Sequence, residues 1–141
     1  MKKDTNELLK ELESFTDFKS FYEENKEQFA EVQLSEYLQT LLNEKNLEKS
    51  DVIAKAEMSE IYAYQIISGI KKSPDRNKVL CLAFGMGLTI GETQEMLKKT
   101  GYAMLYARNP FDCVILYGLS KKVSVVEVNE LLYEYGQEML G

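Results

Sequence analysis

Hydrophobic residues recur at helical spacing along most of the chain. Between Thr5 and about Phe29, apolar side chains follow one another at steps of mostly three or four residues, and acidic residues fill the opposite face. This pattern predicts one bent helix or two short ones. The next stretch, "LSEYLQTLLNEKN", predicts a further helix with Ser35 as its N-cap and an apolar stripe of Leu34, Leu38, Leu41 and Leu42.

Residues 48 to 75, "EKSDVIAKAEMSEIYAYQIISGIKKSPD", predict two short helices joined by a tight turn. We place them at about 48–57 and 59–70, with Ser59 as the N-cap of the second. The inward positions of this pair are apolar: Val52, Ile53, Ala56, Met58, Ala63, Ile66 and Ile70. In a helix-turn-helix the first helix crosses the DNA backbone and the second enters the major groove. The outward residues of the second helix would then be Glu60, Ile61, Tyr64, Gln65 and Ser68, followed by Lys71 and Lys72.

An internal repeat organises the second half of the chain. When "LTIGETQEMLKKTGYAML" (residues 88–105) is set above "VSVVEVNELLYEYGQEML" (residues 123–140), an offset of 35 aligns six identical residues. These pairs are Glu92/Glu127, Glu95/Glu130, Leu97/Leu132, Gly101/Gly136, Met104/Met139 and Leu105/Leu140. The repeat predicts one helical hairpin made twice, as antiparallel pairs packed on each other and on the N-terminal helices. Chance similarity between amphipathic helices is the alternative.

Each copy of the repeat carries its own start and stop signals. Thr89 and Ser124 each stand three residues before a glutamate, which is the spacing of a capping box. Glycines 101 and 136 stand where a left-handed residue would end each helix. The helices before them are predicted to begin at Ser73-Pro74 and Asn109-Pro110, because proline suits the first helical position.

Composition argues against several kinds of chemistry. The chain has 141 residues, no histidine and two cysteines that are 32 residues apart, so neither a His-dependent nucleophile nor a metal site is expected. Cys81 and Cys113 lie in apolar runs and are predicted to be reduced core residues, which fits a cytoplasmic protein. Paired carboxylates occur only at helical spacing on polar faces, so we do not expect an enzyme or a cofactor. No signal peptide or membrane-spanning segment is recognisable.

Charge is distributed unevenly. The net charge of −6 divides into −4 for residues 1–33, −1 for residues 34–74, +2 for residues 75–108 and −3 for residues 109–141. The basic region is confined to the end of the proposed reading helix and the start of the next one, at Lys71, Lys72, Arg76 and Lys78. The acids Glu57 and Glu60, which precede and open that helix, oppose phosphate binding.

The segment from "LSEYLQTLLNEKN" through "CLAFGMGL" resembles the lambda-repressor-like, XRE-type helix-turn-helix proteins. It is most similar to a group of small Firmicutes regulators with a Tyr-x-Tyr-Gln-Ile-x-Ser-Gly recognition segment, here residues 62–69. The likeness extends to "TQEMLKKTGYAMLYARNP" and "VNELLYEYG". Together with the helical pattern, it predicts an all-α protein that forms a single compact unit: an acidic N-terminal helical extension (1–33), a helix-turn-helix bundle (34–106) and a C-terminal helical hairpin packed on that bundle (107–141).

The resemblance implies a bacterial transcriptional regulator that binds double-stranded DNA. Under that hypothesis Gln65, Glu60 and Ile61 reach base edges, and Tyr64 holds a phosphate. The remaining candidates are Ser59 and Ser68 on the reading helix, and Lys49, Lys71, Lys72, Arg76 and Lys78 on the backbone. A homodimer formed through the hairpin would set two reading helices one DNA turn apart. The competing hypothesis is a protein-binding module on the same scaffold, using the acidic N-terminal helices or the tyrosine-rich end with Tyr133 and Tyr135.

Overall fold

The structure, a computed structural model, describes residues 3–25 and 32–141. All regular secondary structure in those two ranges is α-helical, which confirms the all-α fold class. The described helices are α1 (Thr5–Ser14), α2 (Phe18–Asn25), α3 (Leu34–Glu44), α4 (Lys49–Ala56), α5 (Glu60–Ser68), α6 (Arg76–Gly85), α7 (Ile90–Lys99), α8 (Pro110–Lys121) and α9 (Val125–Glu134).

The chain divides into two compact units, and the first, Met1–Glu31, contains α1 and α2. Asp4 caps α1 by accepting the backbone N–H of Glu7 at 2.7 Å, and Asp17 does the same for Ser20 at the start of α2. The ring of Phe21 is buried and lies 5.5 Å from the ring centroid of Phe15. Of the two possibilities left open by the sequence, two short helices are present; the predicted Phe29 position lies outside the described residues.

The second unit, Val32–Gly141, is built around α6. Five consecutive residues of this helix, 79 to 83, are buried, so α6 meets neighbours on all sides. Gly85 allows α4 to approach closely, because a Cβ at this position would lie 2.4 Å from the carbonyl oxygen of Val52. In α3 the predicted stripe is confirmed: Leu34, Leu38 and Leu42 are buried and Leu41 packs against the core.

The start and stop signals of the repeat are present with one difference. Thr89 and Glu92 form a complete capping box. Ser124 accepts the N–H of Glu127, but that glutamate's carboxylate accepts from the serine hydroxyl at 3.4 Å and not from the backbone. Both predicted glycines adopt positive φ, 88° at position 101 and 72° at position 136.

The side-chain amides of Gln94 and Asn129 make equivalent hydrogen bonds in the two copies of the repeat. These two residues are not among the six identities, because one is glutamine and the other asparagine. Gln94 uses its side-chain oxygen and nitrogen to bind the backbone N–H and C=O of Leu105, at 2.7 and 2.8 Å. Asn129 makes the same two bonds to Leu140, at 2.7 and 3.3 Å. Residues 94/129 and 105/140 are both 35 apart, so the two copies close their C-terminal loops in the same way.

Two predicted helix starts are wrong. The N-cap of α3 is Gln33, and Ser35 lies inside the first turn, because the first helical bond already runs from the N–H of Tyr37 to the carbonyl of Gln33. Helix α6 begins at Arg76 after Asp75 rather than at Pro74. Pro74 is buried outside the helix, where its carbonyl accepts the hydroxyl of Tyr102 at 2.5 Å. The Asn109-Pro110 start of α8 is confirmed.

The cysteines differ in environment. Cys81 is buried in α6, and burial raises the pKa of its thiol to about 11. Cys113 is exposed on α8, so its predicted core position is wrong. The neighbouring Asp112 is buried in its place, and its partners are described below.

Candidate nucleic-acid interface

Helices α4 and α5 form a helix-turn-helix with a three-residue turn. Helix α4 ends at Ala56, and the φ of 56° and ψ of 41° of its C-cap, Glu57, place that residue in the left-handed region. Ser59 caps α5 by accepting the N–H of Tyr62 at 3.4 Å, as its position in the sequence predicted. Both helices are one or two residues shorter at their ends than the sequence indicated.

The inner face of α5 consists of Ala63, Ile66 and Ile67, all buried. Ile70 was predicted to belong to this face, but it is 77% exposed. The prediction fails because Gly69, with φ of 92°, ends the helix, so the helical spacing no longer applies beyond it. The carbonyl of Ile67 accepts from the side chain of Gln39 at 2.7 Å, which fastens the end of α5 to α3.

The outward residues of α5 form a ridge that we define as Glu60, Ile61, Tyr64, Gln65 and Ser68. Ile61 is 74% exposed and Tyr64 is 40% exposed, while Gln65 is half-buried and Glu60 and Ser68 are exposed. No ion pair among the described residues involves Glu60. The ridge therefore faces solvent with two large apolar side chains and a single carboxylate.

The lysines predicted to contact phosphate lie at two places. Lys49 is exposed in the first turn of α4, and Lys71 and Lys72 are exposed just beyond Gly69. None of these three forms an ion pair with another described residue. Lys78 is half-buried, with its Nζ 5.7 Å from the ring centroid of Tyr62 on α5.

Arg76 does not belong with these lysines. Its Nη1 and Nη2 donate to the two carboxylate oxygens of Asp112 at 2.9 and 3.1 Å, its Nε donates to the carbonyl of Ala103 at 2.9 Å, and Nη2 also donates to the carbonyl of Met104 at 3.1 Å. A guanidinium has five N–H donors, and this one makes four hydrogen bonds inside the protein. We therefore remove Arg76 from the candidate phosphate contacts. Asp112 was not predictable as a partner of Arg76, because the two residues are 36 positions apart.

The electrostatic character of the interface changes along α5. Glu57 and Glu60 line an open cleft at its N-terminal end together with Ser50, Ile53, Ala54 and Met58. Lys71 and Lys72 follow its C-terminal end. An approaching polyanion would be repelled at the first end and attracted at the second.

In residues 3–25 and 32–141 no group of His, Cys, Asp or Glu is arranged to hold a metal ion. Among the helices within the same ranges, none is both long and apolar enough to cross a bilayer.

Comparisons with known proteins add no further assignment: no family model, no curated protein and no solved structure matches the chain.

Proposed function

We propose that this protein is a lambda-repressor-like DNA-binding regulator that acts in the cytoplasm and places α5 in the major groove. The observation that carries this proposal is the contrast between the two faces of α5. Its inner face is fully packed, yet Ile61 and Tyr64 remain exposed on the ridge, beside lysines that make no ion pair with another described residue. Burial of such side chains in a groove accounts for their presence on a surface helix.

The ridge residues have different roles in this proposal. The amide of Gln65 can pair with N6 and N7 of adenine, Glu60 can accept from N4 of cytosine, and Ile61 can contact a thymine methyl group. Tyr64 offers its hydroxyl to a phosphate. Ser59 already accepts a helix N–H, so its role is to position α5, while its own hydroxyl proton remains available to a phosphate.

Few basic side chains are available to bind the phosphates of the DNA backbone. With Arg76 removed from the set, Lys71, Lys72 and Lys78 remain near the end of α5. If each neutralises one phosphate, the slope of log affinity against log salt is about −2.7 per subunit. Such a slope is small, so we expect a dimer to be needed for tight binding; it would double the slope.

A titration of labelled duplex DNA of random sequence, followed by fluorescence anisotropy, tests this proposal. We expect binding that weakens as salt rises and that is lost in a Lys71→Ala/Lys72→Ala variant. The matched control is Lys98→Ala/Lys121→Ala, which removes the same charge from exposed positions on α7 and α8. Equal binding by both variants, or no binding at tens of micromolar protein in low salt, would exclude the proposed interface.

A second candidate function is protein binding on the same scaffold. The observation that favours it is the exposure of Tyr133, Tyr135 and Met139 at the C-terminal end, far along the chain from the helix-turn-helix. The two functions use different surfaces, so one protein can have both.

A further inference from the structure

The outward face of α9 carries an apolar surface that the DNA proposal does not use. Val126, Tyr133 and Met139 are 49%, 70% and 52% exposed. Together with Asn129 and Glu130 they line one open depression of about 370 Å³. We call these five residues the α9 face.

The internal repeat supplies a control for this face within the same molecule. At the offset of 35, Val126 corresponds to Gly91 and Tyr133 corresponds to Lys98, and both of those positions on α7 are exposed as well. Met104, the counterpart of Met139, is also exposed. The fold therefore accepts glycine and lysine at these two positions. Packing within the chain does not explain why the second copy has valine and tyrosine.

Charge also differs between the two copies. Glutamates accompany the apolar side chains of the α9 face: Glu130 belongs to it, and Glu127 and Glu134 are exposed on the same helix. Glu134 replaces a basic residue of the first copy, since it corresponds to Lys99. The second copy has thus become both more apolar and more acidic on its outward side.

This combination selects the kind of partner. A second copy of the same face would bring two sets of three carboxylates together, and DNA would bring phosphates against them; both are unfavourable. A basic segment with its own apolar stripe would place aliphatic side chains against Val126, Tyr133 and Met139 while its lysines or arginines meet the glutamates. Amphipathic helices bind acidic-rimmed apolar grooves in this way.

We propose that the α9 face binds a basic amphipathic helix of another protein. Tyr133 is its central contact, because an exposed aromatic ring with a polar tip contributes most to binding when a partner covers it. This inference does not depend on DNA binding by α5, and no DNA enters its test.

Three labelled synthetic peptides can test the proposal on the intact chain by fluorescence anisotropy. The first has leucines at helical spacing with lysines elsewhere, the second has the same leucines with glutamates, and the third has the lysines with serines in place of the leucines. We expect saturable binding of the first peptide, and binding at least tenfold weaker for the other two.

Variants copied from α7 locate the binding site. The variants are Tyr133→Lys, alone and combined with Val126→Gly; each puts on α9 the residue that α7 has at the corresponding position. Far-UV circular dichroism checks that both variants fold. We expect at least a tenfold loss of affinity for the first peptide, whereas Lys98→Ser on α7 leaves it unchanged.

Several results would overturn the proposal. Equal binding of the lysine–leucine peptide by the wild type and the Tyr133→Lys chain would show that the site lies elsewhere. If the glutamate–leucine peptide binds as tightly as the first, the glutamates of the α9 face have no role. If the lysine–serine peptide does, the apolar side chains of that face have none. Self-association in sedimentation velocity that Tyr133→Lys abolishes would identify the occupant as a second copy.

Discussion

The guanidinium of Arg76 binds both carboxylate oxygens of Asp112, which lies 36 residues further along the chain, at 2.9 and 3.1 Å. The pair joins the first turn of α6 to the first turn of α8. Asp112 also accepts the N–H of Tyr106 at 2.9 Å, so its buried carboxylate has charged and neutral partners. This arrangement ties the helix that follows the helix-turn-helix to the C-terminal hairpin.

Loss of Arg76 is therefore predicted to reduce stability more than DNA affinity. In an Arg76→Ala variant the buried carboxylate of Asp112 loses both hydrogen bonds from the guanidinium and keeps the one from the N–H of Tyr106. We therefore expect the free energy of unfolding to fall by about 3 kcal/mol. Arg76→Lys should recover little, because an ammonium group cannot form the two parallel bonds. Urea unfolding followed by circular dichroism measures both variants. Asp112→Asn added to Arg76→Ala serves as the control and should restore part of the loss, since it removes the unpaired charge. An Arg76→Ala chain that is as stable as the wild type would contradict this account.

Glu57 is predicted to lower both the stability of the fold and the affinity for DNA, the first through its backbone conformation and the second through its charge. Its left-handed backbone is strained for a residue with a Cβ, so Glu57→Gly should raise the free energy of unfolding by about 0.5–1 kcal/mol. Glu57→Gln removes the charge but keeps the Cβ, so it should leave stability unchanged. Both variants lose one negative charge near α5, and we expect each to bind duplex DNA roughly twofold more tightly at low salt. If neither changes the affinity, bound DNA does not approach this end of α5.

The ion pair between Glu92 and Lys45 predicts a contribution to stability that depends on pH. A hydrogen bond from the Lys45 ammonium, with a second from the Thr89 backbone, lowers the pKa of Glu92 below its ordinary value of 4.5. Because the folded-state pKa is the lower one, the stabilisation is present above about pH 4.5 and is lost as pH falls through the folded pKa. Glu127 has no lysine partner among the described residues. Glu92→Gln should thus lower stability by about 0.5 kcal/mol at pH 7 and by less at pH 3.

Glu127→Gln is the matched control and should lower stability less than Glu92→Gln does at pH 7, because it breaks no ion pair. Urea unfolding of both variants at the two pH values is the measurement. Equal losses for the two variants would show that the Lys45 ion pair contributes nothing.

Features that depend on neighbouring residues were predictable from the sequence. Ser59, Thr89, Asn109 and Ser124 were each predicted to start a helix, and each does, because an N-cap bonds to a backbone N–H only three residues away. The repeat was legible for the same reason, since its caps and glycines act locally.

Features that depend on distant residues were not predictable. Cys113 lies in an apolar run and was expected to be buried, but Asp112 is buried instead because Arg76 neutralises it. The chain around Pro74 is held by Tyr102, which lies 28 residues away. The prediction that Ile70 is buried is wrong for a different reason. The helical spacing was extended beyond Gly69, although that glycine is the residue that ends α5.

Mapping of a bound duplex on the chain tests the central claim, that the ridge of α5 and the lysines beyond it form a DNA interface. In amide proton–nitrogen spectra of the isotopically labelled protein, added duplex at low salt should shift the signals of residues 59–72 most strongly. The signals of α9 should stay in place. Shifts confined to the C-terminal hairpin, or an unchanged spectrum at an excess of duplex, would contradict the claim.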